Sequence, residues 1–327
     1  IEGAIGVDLG AESCRVAVFK EGEVIVITDN GRRRTPSVIA FDESQILFGE
    51  TALKHAEGNR SNAIFLKDVQ ANLGRIDSMV TVNYKGAATN FSADEVFALM
   101  LRKMKVMAED FLKNNVTETV ISVPTFFSSR QRQGLKDAAS TAGLNVIRVM
   151  NSASASAVAH IYRLQKTNQE EYRRRNLLVF DQGAGPSDLA LFTECNLYNM
   201  TAEKVAADSE LGGDCFTDLL VRHFVDDFTS KGQDLSDFRA IDLLRRQCEQ
   251  AKALLSSHPV AHVEIHEGTL FGTITREQYA NICEESFNKT RALIDRLLGA
   301  PRKMGRTGVH EILLVGRATQ DPNLQNL

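Results

Sequence analysis

Two aspartates, each at the end of an apolar run and beside a glycine turn, are the side chains of this sequence best suited to chemistry. Asp8 precedes Gly10, and Asp181 precedes Gly183 and Gly185. Glycines let backbone N–H groups approach phosphate oxygens, and a neighbouring carboxylate can hold Mg²⁺ through water molecules. One such turn is often only a turn, but two in matching contexts predict a nucleotide cleft with phosphates between two hairpins.

The elements that must position these turns occur twice. Apolar runs before and after each aspartate predict strand–turn–strand hairpins over residues 4–20 and 176–192. Strands and helices alternate along the rest of the chain, which predicts an α/β fold with mixed sheets. The repeated hairpin therefore indicates two related lobes.

Capping boxes predict three helix starts. In each box, a hydroxyl and a residue three positions later satisfy free N–H groups of the first helical turn. The pairs are Ser92 with Glu95, Ser128 with Gln131, and Thr275 with Gln278. We predict that the last pair opens one long helix that runs to Leu298.

The predicted domain organisation follows from the order of these elements. Lobe I covers 1–168, with a core of 1–37 and 93–168 around an inserted subdomain of 38–92. Lobe II covers 169–327, with a core of 169–212 and 289–327 around an inserted subdomain of 213–288. The polar segment 166–175 is the predicted hinge or lobe boundary.

Composition limits the classes of partner. The chain has 327 residues, is 43% hydrophobic and carries a formal net charge of -4, so no global field favours nucleic acid. No apolar stretch approaches the roughly 18–20 residues of a membrane span, so no membrane partner is expected. The five cysteines are scattered without a Cys/His cluster, which favours free thiols in a reducing compartment. We therefore expect a cytoplasmic protein.

Five short segments along the chain together form a recognisable sequence pattern: Gly6–Gly10, Arg34–Ser37, Val120–Pro124, Leu211–Gly213 and Cys248–Lys252. Together they resemble the nucleotide-binding (ATPase) domain of the seventy-kilodalton heat-shock chaperone family, along the whole chain. The resemblance implies an actin-like ATPase fold, with ribonuclease H-like duplicated lobes and four subdomains around a nucleotide cleft. It implies ATP or ADP and Mg²⁺ as cofactors. It also implies a peptide-binding domain beyond the C-terminus, unfolded client proteins, and a J-domain protein or exchange factor as partners.

The resemblance assigns roles to individual residues. Asp8, Asp181 and Asp188 match catalytic positions, and the first two also match the positions that bind the metal. The positions that contact the nucleotide are matched by Gly10, Gly183, Gly185, Gly212, Gly213, Glu249, Lys252, Ser256 and Gly316. The spacing of Glu249, Lys252 and Ser256 predicts one shared helix face, for which a surface Glu–Lys pair is the simpler alternative.

Five positions depart from the family pattern where hydrolysis is concerned. Gln70 stands where the family has its catalytic lysine, and Ser152 stands where it has a glutamate linked to the attacking water. Ala11 and Pro186 lack hydroxyl groups that the family's phosphate turns carry, and Glu12 brings a carboxylate to the first turn. Loss of a cation beside the transferring phosphoryl group costs orders of magnitude in rate.

We therefore predict the nucleotide-binding domain of a chaperone or co-chaperone that binds ATP with weak or absent hydrolysis. The alternative is a pseudo-ATPase scaffold or exchange factor that binds no nucleotide. Gln70 and the segment 8–13 also resemble the large exchange factors of the endoplasmic reticulum, so its lumen is the alternative compartment. A small-molecule kinase on the same fold is disfavoured, because the sequence offers no base for a sugar hydroxyl.

Overall fold

A computed structural model of the chain describes residues 3–167, 175–195, 200–233, 235, 238–265, 270–299 and 308–327. The strands in these ranges are β1 (Ile5–Leu9), β2 (Ser13–Lys20), β3 (Glu23–Val26), β4 (Thr35–Pro36), β5 (Val38–Phe41), β6 (Ile46–Phe48), β7 (Ala63–Phe65), β8 (Met79–Tyr84), β9 (Ala87–Ser92), β10 (Glu118–Val123), β11 (Asn145–Asn151), β12 (Arg175–Gln182), β13 (Ser187–Cys195), β14 (Thr201–Asp208), β15 (Val260–Ile265), β16 (Leu270–Thr275) and β17 (Glu311–Val315). The helices are α1 (Gly49–Gly58), α2 (Leu66–Val69), α3 (Ala93–Leu112), α4 (Ser129–Thr141), α5 (Ser152–Lys166), α6 (Gly213–Ser230), α7 (Phe238–Leu255), α8 (Arg276–Ile282), α9 (Glu284–Leu298) and α10 (Pro322–Gln325). None of these described helices is both long and apolar enough to cross a membrane.

The first large sheet is built around β1. Its strand order is β11–β10–β1–β2–β3, and β4 pairs with the start of β2. β1 runs parallel to β10 and antiparallel to β2. The turn after Asp8 therefore lies at the carboxyl end of a central strand, where α/β sheets commonly place their ligands.

The second large sheet repeats this arrangement. Its order is β14–β13–β12–β17, with β12 antiparallel to β13 and parallel to β17. In both sheets a hairpin continues into a third antiparallel strand, and a strand from much later in the chain pairs with the other side of the first. The repeat predicted from the two aspartate turns is thus confirmed as a shared sheet topology.

One face of the first sheet is buried because apolar residues alternate along its strands. Cys14, Val16 and Val18 on β2 are at most 3% exposed, whereas Arg15 between them is exposed. α3 contributes buried methionines to the same core and begins at the predicted capping box of Ser92. The methionines of α3 are therefore core residues, as expected of apolar side chains at helical spacing.

Smaller elements complete the described structure. A three-stranded sheet, ordered β6–β5–β7, packs against α1, and β8 and β9 form a separate hairpin. Lys85 and Gly86 turn that hairpin with φ of 55° and 75°, as expected for a tight hairpin turn. In the second half, β15 and β16 pair beside an aromatic core in which the rings of Phe216 and Phe287 stack with centroids 5.1 Å apart.

The chain divides into two compact units, 1–155 and 156–327. The division falls within α5. The predicted lobe boundary between 168 and 169 lies outside the described residues, and the predicted subdomain limits stay predictions.

One helix prediction is wrong. The segment from the Thr275 capping box to Leu298 forms two helices, α8 and α9, which are separated at Cys283. Cys283 has φ -98° and ψ 4° and is fully buried, and its N–H still bonds to the carbonyl of Tyr279. The bend keeps Tyr279 and Phe287 in one core, whereas a straight helix was expected because no Gly or Pro marks the break.

The cysteines yield a testable difference in reactivity. Burial raises the pKa of Cys14, Cys248 and Cys283 to about 12, so the thiolate is scarce at pH 8. Cys215 is partly exposed. We expect iodoacetamide at pH 8 to modify Cys215 well before these three, which should react only after unfolding. Peptide mass spectrometry of the folded and the urea-unfolded protein measures this order, and modification of Cys14 at the rate of Cys215 would contradict it.

Candidate functional site

In the first unit, the register of the sheet places two side chains beside Asp8. Asp8 lies opposite Arg15 on β2 and beside Ser122 on β10. Its Oδ1 accepts a hydrogen bond from Ser122 Oγ at 2.7 Å, and its Oδ2 accepts one from Arg15 Nη1 at 3.1 Å. Both carboxylate oxygens are therefore engaged by groups of the same sheet. The sequence interpretation included neither Ser122 nor Arg15.

The turn at Gly10 is closed by backbone contacts. A Cβ at Gly10 would lie 2.6 Å from the carbonyl oxygen of Ser13, so only glycine fits there without displacing backbone. Ser37 donates its hydroxyl to the carbonyl of Gly10 at 2.6 Å and its N–H to the carbonyl of Glu12 at 2.9 Å. The exposed carboxylate of Glu12 lies 4.0 Å from Arg34 Nη1, which offsets part of its negative charge.

The two positions that replace the family's lysine and glutamate lie at element starts. Gln70 begins a 3-10 turn after α2 and is half-buried, and its carbonyl accepts from Gln131 Nε2 at 3.3 Å. Ser152 is the first residue of α5. Neither side chain carries a charge, so neither supplies the cation or the carboxylate expected from the family.

In the second unit, Asp181 and Asp188 face one another across the hairpin of β12 and β13. Asp188 is 3% exposed, and Asp181 is partly exposed. Directly opposed residues on neighbouring strands have Cβ atoms about 4.5–5.5 Å apart, and two carboxylates at that distance repel each other. Two carboxylates on one face of a hairpin suit a cation.

The glycines of the second unit form one tightly packed backbone cluster. A Cβ at Gly212 would lie 1.3 Å from the carbonyl oxygen of Gly185, and one at Gly316 would lie 2.3 Å from that of Gln182. Gly316 also has φ of +87°, which side chains rarely adopt. The N–H of Gly213 donates to the carbonyl of Gly183 at 2.8 Å. Five predicted glycines thus lie together, as the resemblance implies.

Gly183 differs from the others because it faces open space. A Cβ there would meet no atom within 4 Å, and its φ is not in the left-handed region. No described atom therefore covers the side of its backbone on which a side chain would stand. This open side is the approach for which a glycine turn is suited.

Lys252 ties α7 to the start of α6. Its ammonium donates to the carbonyl of Gly213 at 2.6 Å, to Thr217 Oγ1 at 2.7 Å and to Glu249 Oε2 at 2.6 Å. Thr217 Oγ1 lies 2.5 Å from the same carboxylate oxygen. Lys252 and Glu249 therefore lie together as predicted, but Thr217 was missed because its role depends on how the two helices pack. Ser256 lies in the turn after Leu255, so its predicted place on the α7 helix face is wrong.

The site residues of the second unit fit the implied nucleotide and metal better than Asp8 in the first unit does. The second unit offers an approachable glycine backbone and two opposed carboxylates, which suit a phosphate and a cation. At Asp8, by contrast, Arg15 already supplies a permanent positive charge, which disfavours a divalent cation at the same carboxylate. Among the described residues, no group of three or more His, Cys, Asp or Glu side chains is arranged to hold a metal.

Comparisons with known proteins agree on one family. The model of the family described as Hsp70 protein matches residues 4–327. The chain is 36% identical over 354 residues to "Heat shock 70 kDa protein 2" of Paracoccidioides lutzii, which covers 99% of this chain and 53% of that protein. It is 37% identical over 354 residues to "Heat shock 70 kDa protein" of Neurospora crassa, with the same coverage. It is 34% identical over 356 residues to "Heat shock cognate 70 kDa protein 3" of Dictyostelium discoideum, which covers 99% of this chain and 55% of that protein. The chain spans about half the length of these relatives.

Proposed function

The chain belongs to the Hsp70 family and corresponds to its nucleotide-binding domain, and on this premise we propose that it binds ATP or ADP and hydrolyses ATP weakly or not at all. The family membership confirms the predicted actin-like ATPase fold. Chaperone activity, unfolded clients, a peptide-binding domain, and a J-domain protein or exchange factor belong to the whole protein and are part of the proposal. So are a role in the stress response and a cytoplasmic location, with the endoplasmic reticulum lumen as the alternative.

The open face of Gly183 is the observation that carries nucleotide binding. The surrounding glycines are held by backbone contacts, so this turn is rigid before any ligand arrives. A preorganised set of N–H groups binds phosphate with little loss of conformational entropy. Asp181 and Asp188 lie beside the turn of the same hairpin and suit a cation that accompanies the phosphates.

Weak hydrolysis is supported by the uncharged side chains of Gln70 and Ser152. Phosphoryl transfer depends on cations that stabilise charge in the transition state and on groups that orient the attacking water. ATP or ADP and Mg²⁺ remain the proposed cofactors, since the family's chemistry draws on the metal to neutralise phosphate charge. A scaffold that binds no nucleotide is the second candidate, favoured by the occupied carboxylate of Asp8.

Calorimetry of the wild type and of a Gly183 variant separates nucleotide binding from a scaffold that binds no nucleotide. We expect the wild type to bind ADP saturably in calorimetry with Mg²⁺, and we expect Gly183→Leu to bind at least about tenfold more weakly, because its side chain would occupy the phosphate approach. Folding should be retained, since the Cβ meets no neighbour. Gly58→Leu is the matched control, because a Cβ at Gly58 also meets open space and this glycine ends α1.

Turnover of radiolabelled ATP completes the test. We expect the wild type to release phosphate far more slowly than ordinary chaperones do. Phosphate release at ordinary chaperone rates would contradict weak hydrolysis, whereas no binding of ADP or ATP to the folded wild type would leave the scaffold as the function.

A further inference from the structure

Arg15 is a cation that the sheet itself places at Asp8. The two residues are directly opposed in the antiparallel register of β1 and β2, so their Cβ atoms lie about 4.5–5.5 Å apart whatever the side-chain conformation. Both side chains are a little under half exposed, at 45% and 44%. The contact follows from the register of two central strands, and it is therefore not an accidental meeting of flexible surface groups.

The surroundings of Asp8 favour the guanidinium over a metal. Mg²⁺ requires near-octahedral oxygen ligands and is usually held by carboxylates together with waters. Here Ser122 donates to one oxygen of Asp8 and Arg15 to the other. Arginine keeps its charge at every physiological pH, so its repulsion of a dication cannot be relieved by loss of a proton.

We propose that Arg15 takes the place of a divalent cation at Asp8, so that the first phosphate turn presents a guanidinium to a nucleotide phosphate. The guanidinium has five N–H donors, and Asp8 takes one of them in the described contacts. Planar N–H donors of this kind bind phosphate oxygens well. The inference rests on the proposed nucleotide binding for its functional meaning, but the exclusion of metal from Asp8 is testable without nucleotide.

The first arm uses Mn²⁺ alone as a paramagnetic probe of the full chain. In two-dimensional amide spectra, we expect substoichiometric Mn²⁺ to leave the Leu9 and Gly10 signals of the wild type as strong as those of Asp8→Asn. In Arg15→Val these signals should lose more than half of their intensity, and adding Asp8→Asn should restore them. Arg15→Gln is the second variant if the valine impairs folding, and Arg148→Val is the control, because Arg148 is exposed on β11 of the same sheet. The proposal is overturned if Mn²⁺ broadens the Leu9 and Gly10 signals of the wild type and Asp8→Asn abolishes that broadening. It is also overturned if Mn²⁺ broadens neither signal in a folded Arg15 variant.

The second arm measures ADP affinity by calorimetry in EDTA and in Mg²⁺. We expect Arg15→Val to lose at least tenfold in affinity in EDTA, and to return to within about threefold of the wild type in Mg²⁺, because the opened Asp8 then accepts the metal. An equal loss of ADP affinity in EDTA and in Mg²⁺ would contradict the proposal that a metal can replace Arg15 at Asp8. If ADP binds to no variant in either buffer, the proposed nucleotide binding fails, and the Mn²⁺ arm alone decides the role of Arg15.

Discussion

Gly212→Ala should lower the free energy of unfolding by more than about 4 kcal/mol and the melting temperature by about 10 °C or more. The added methyl group would lie 1.3 Å from the carbonyl oxygen of Gly185, and its two next neighbours are also backbone atoms of the same turn. No side chain can rotate away to relieve this overlap, so the turn between β12 and β13 must separate from the start of α6. Thermal unfolding followed by circular dichroism measures the loss.

Gly183→Ala is the matched control for this prediction. It adds the same methyl group to the same backbone cluster, but the methyl group meets no atom within 4 Å. We expect its stability to stay within about 1 kcal/mol of the wild type. Equal destabilisation of the two variants would show that the turn tolerates no side chain for reasons other than the contact with Gly185.

Lys252→Met should lower the free energy of unfolding by about 2–3 kcal/mol. Methionine preserves the length of the side chain but removes the donor for three acceptors, those of Gly213, Thr217 and Glu249. Lys252 is only 12% exposed, so water replaces the lost hydrogen bonds poorly, although the 36% exposure of Glu249 limits the cost. Urea unfolding measures the change, and the proposed ADP affinity should fall with it because Gly213 loses its anchor.

Lys289→Met tests whether loss of any ion-paired lysine lowers the free energy of unfolding as much as Lys252→Met. Lys289 pairs with Glu285 at 2.7 Å on α9, but both side chains are mostly exposed, at 60% and 83%. The pairing raises the pKa of Lys289 and lowers that of Glu285. Because water and salt screen such surface pairs, we expect no measurable change in stability. A loss as large as that of Lys252→Met would contradict the special role assigned to the acceptors of Gly213, Thr217 and Glu249.

The local parts of the fold were predictable from sequence because their causes are local. A serine or threonine followed three positions later by Glu or Gln marks a helix start, and the structure has these capping boxes at Ser92, Ser128 and Thr275. The two aspartate hairpins were predictable from their apolar flanks. The break at Cys283 was not, because no Gly or Pro marks it in the sequence.

Only the glycines of the candidate site, which the close approach of backbones requires, were predictable from the sequence. Glycines at 212 and 316 are required where backbones touch, and their pattern is visible in the sequence. The partners of charged side chains are set by strand register and helix packing instead. The sequence therefore assigned no role to Arg15 or to Thr217. Both take part in the contacts of the candidate site.

The pairing of β12 with β17 has a consequence for synthesis on the ribosome. Leu177 pairs with Glu311, about 130 residues later in the chain, and at 5–20 residues per second that interval lasts on the order of 10 s. Until then, the emerging meander of β12, β13 and β14 carries an open edge along its first strand, a form that readily pairs with other chains. The nascent chain is therefore itself expected to need protection by chaperones until β17 leaves the ribosome.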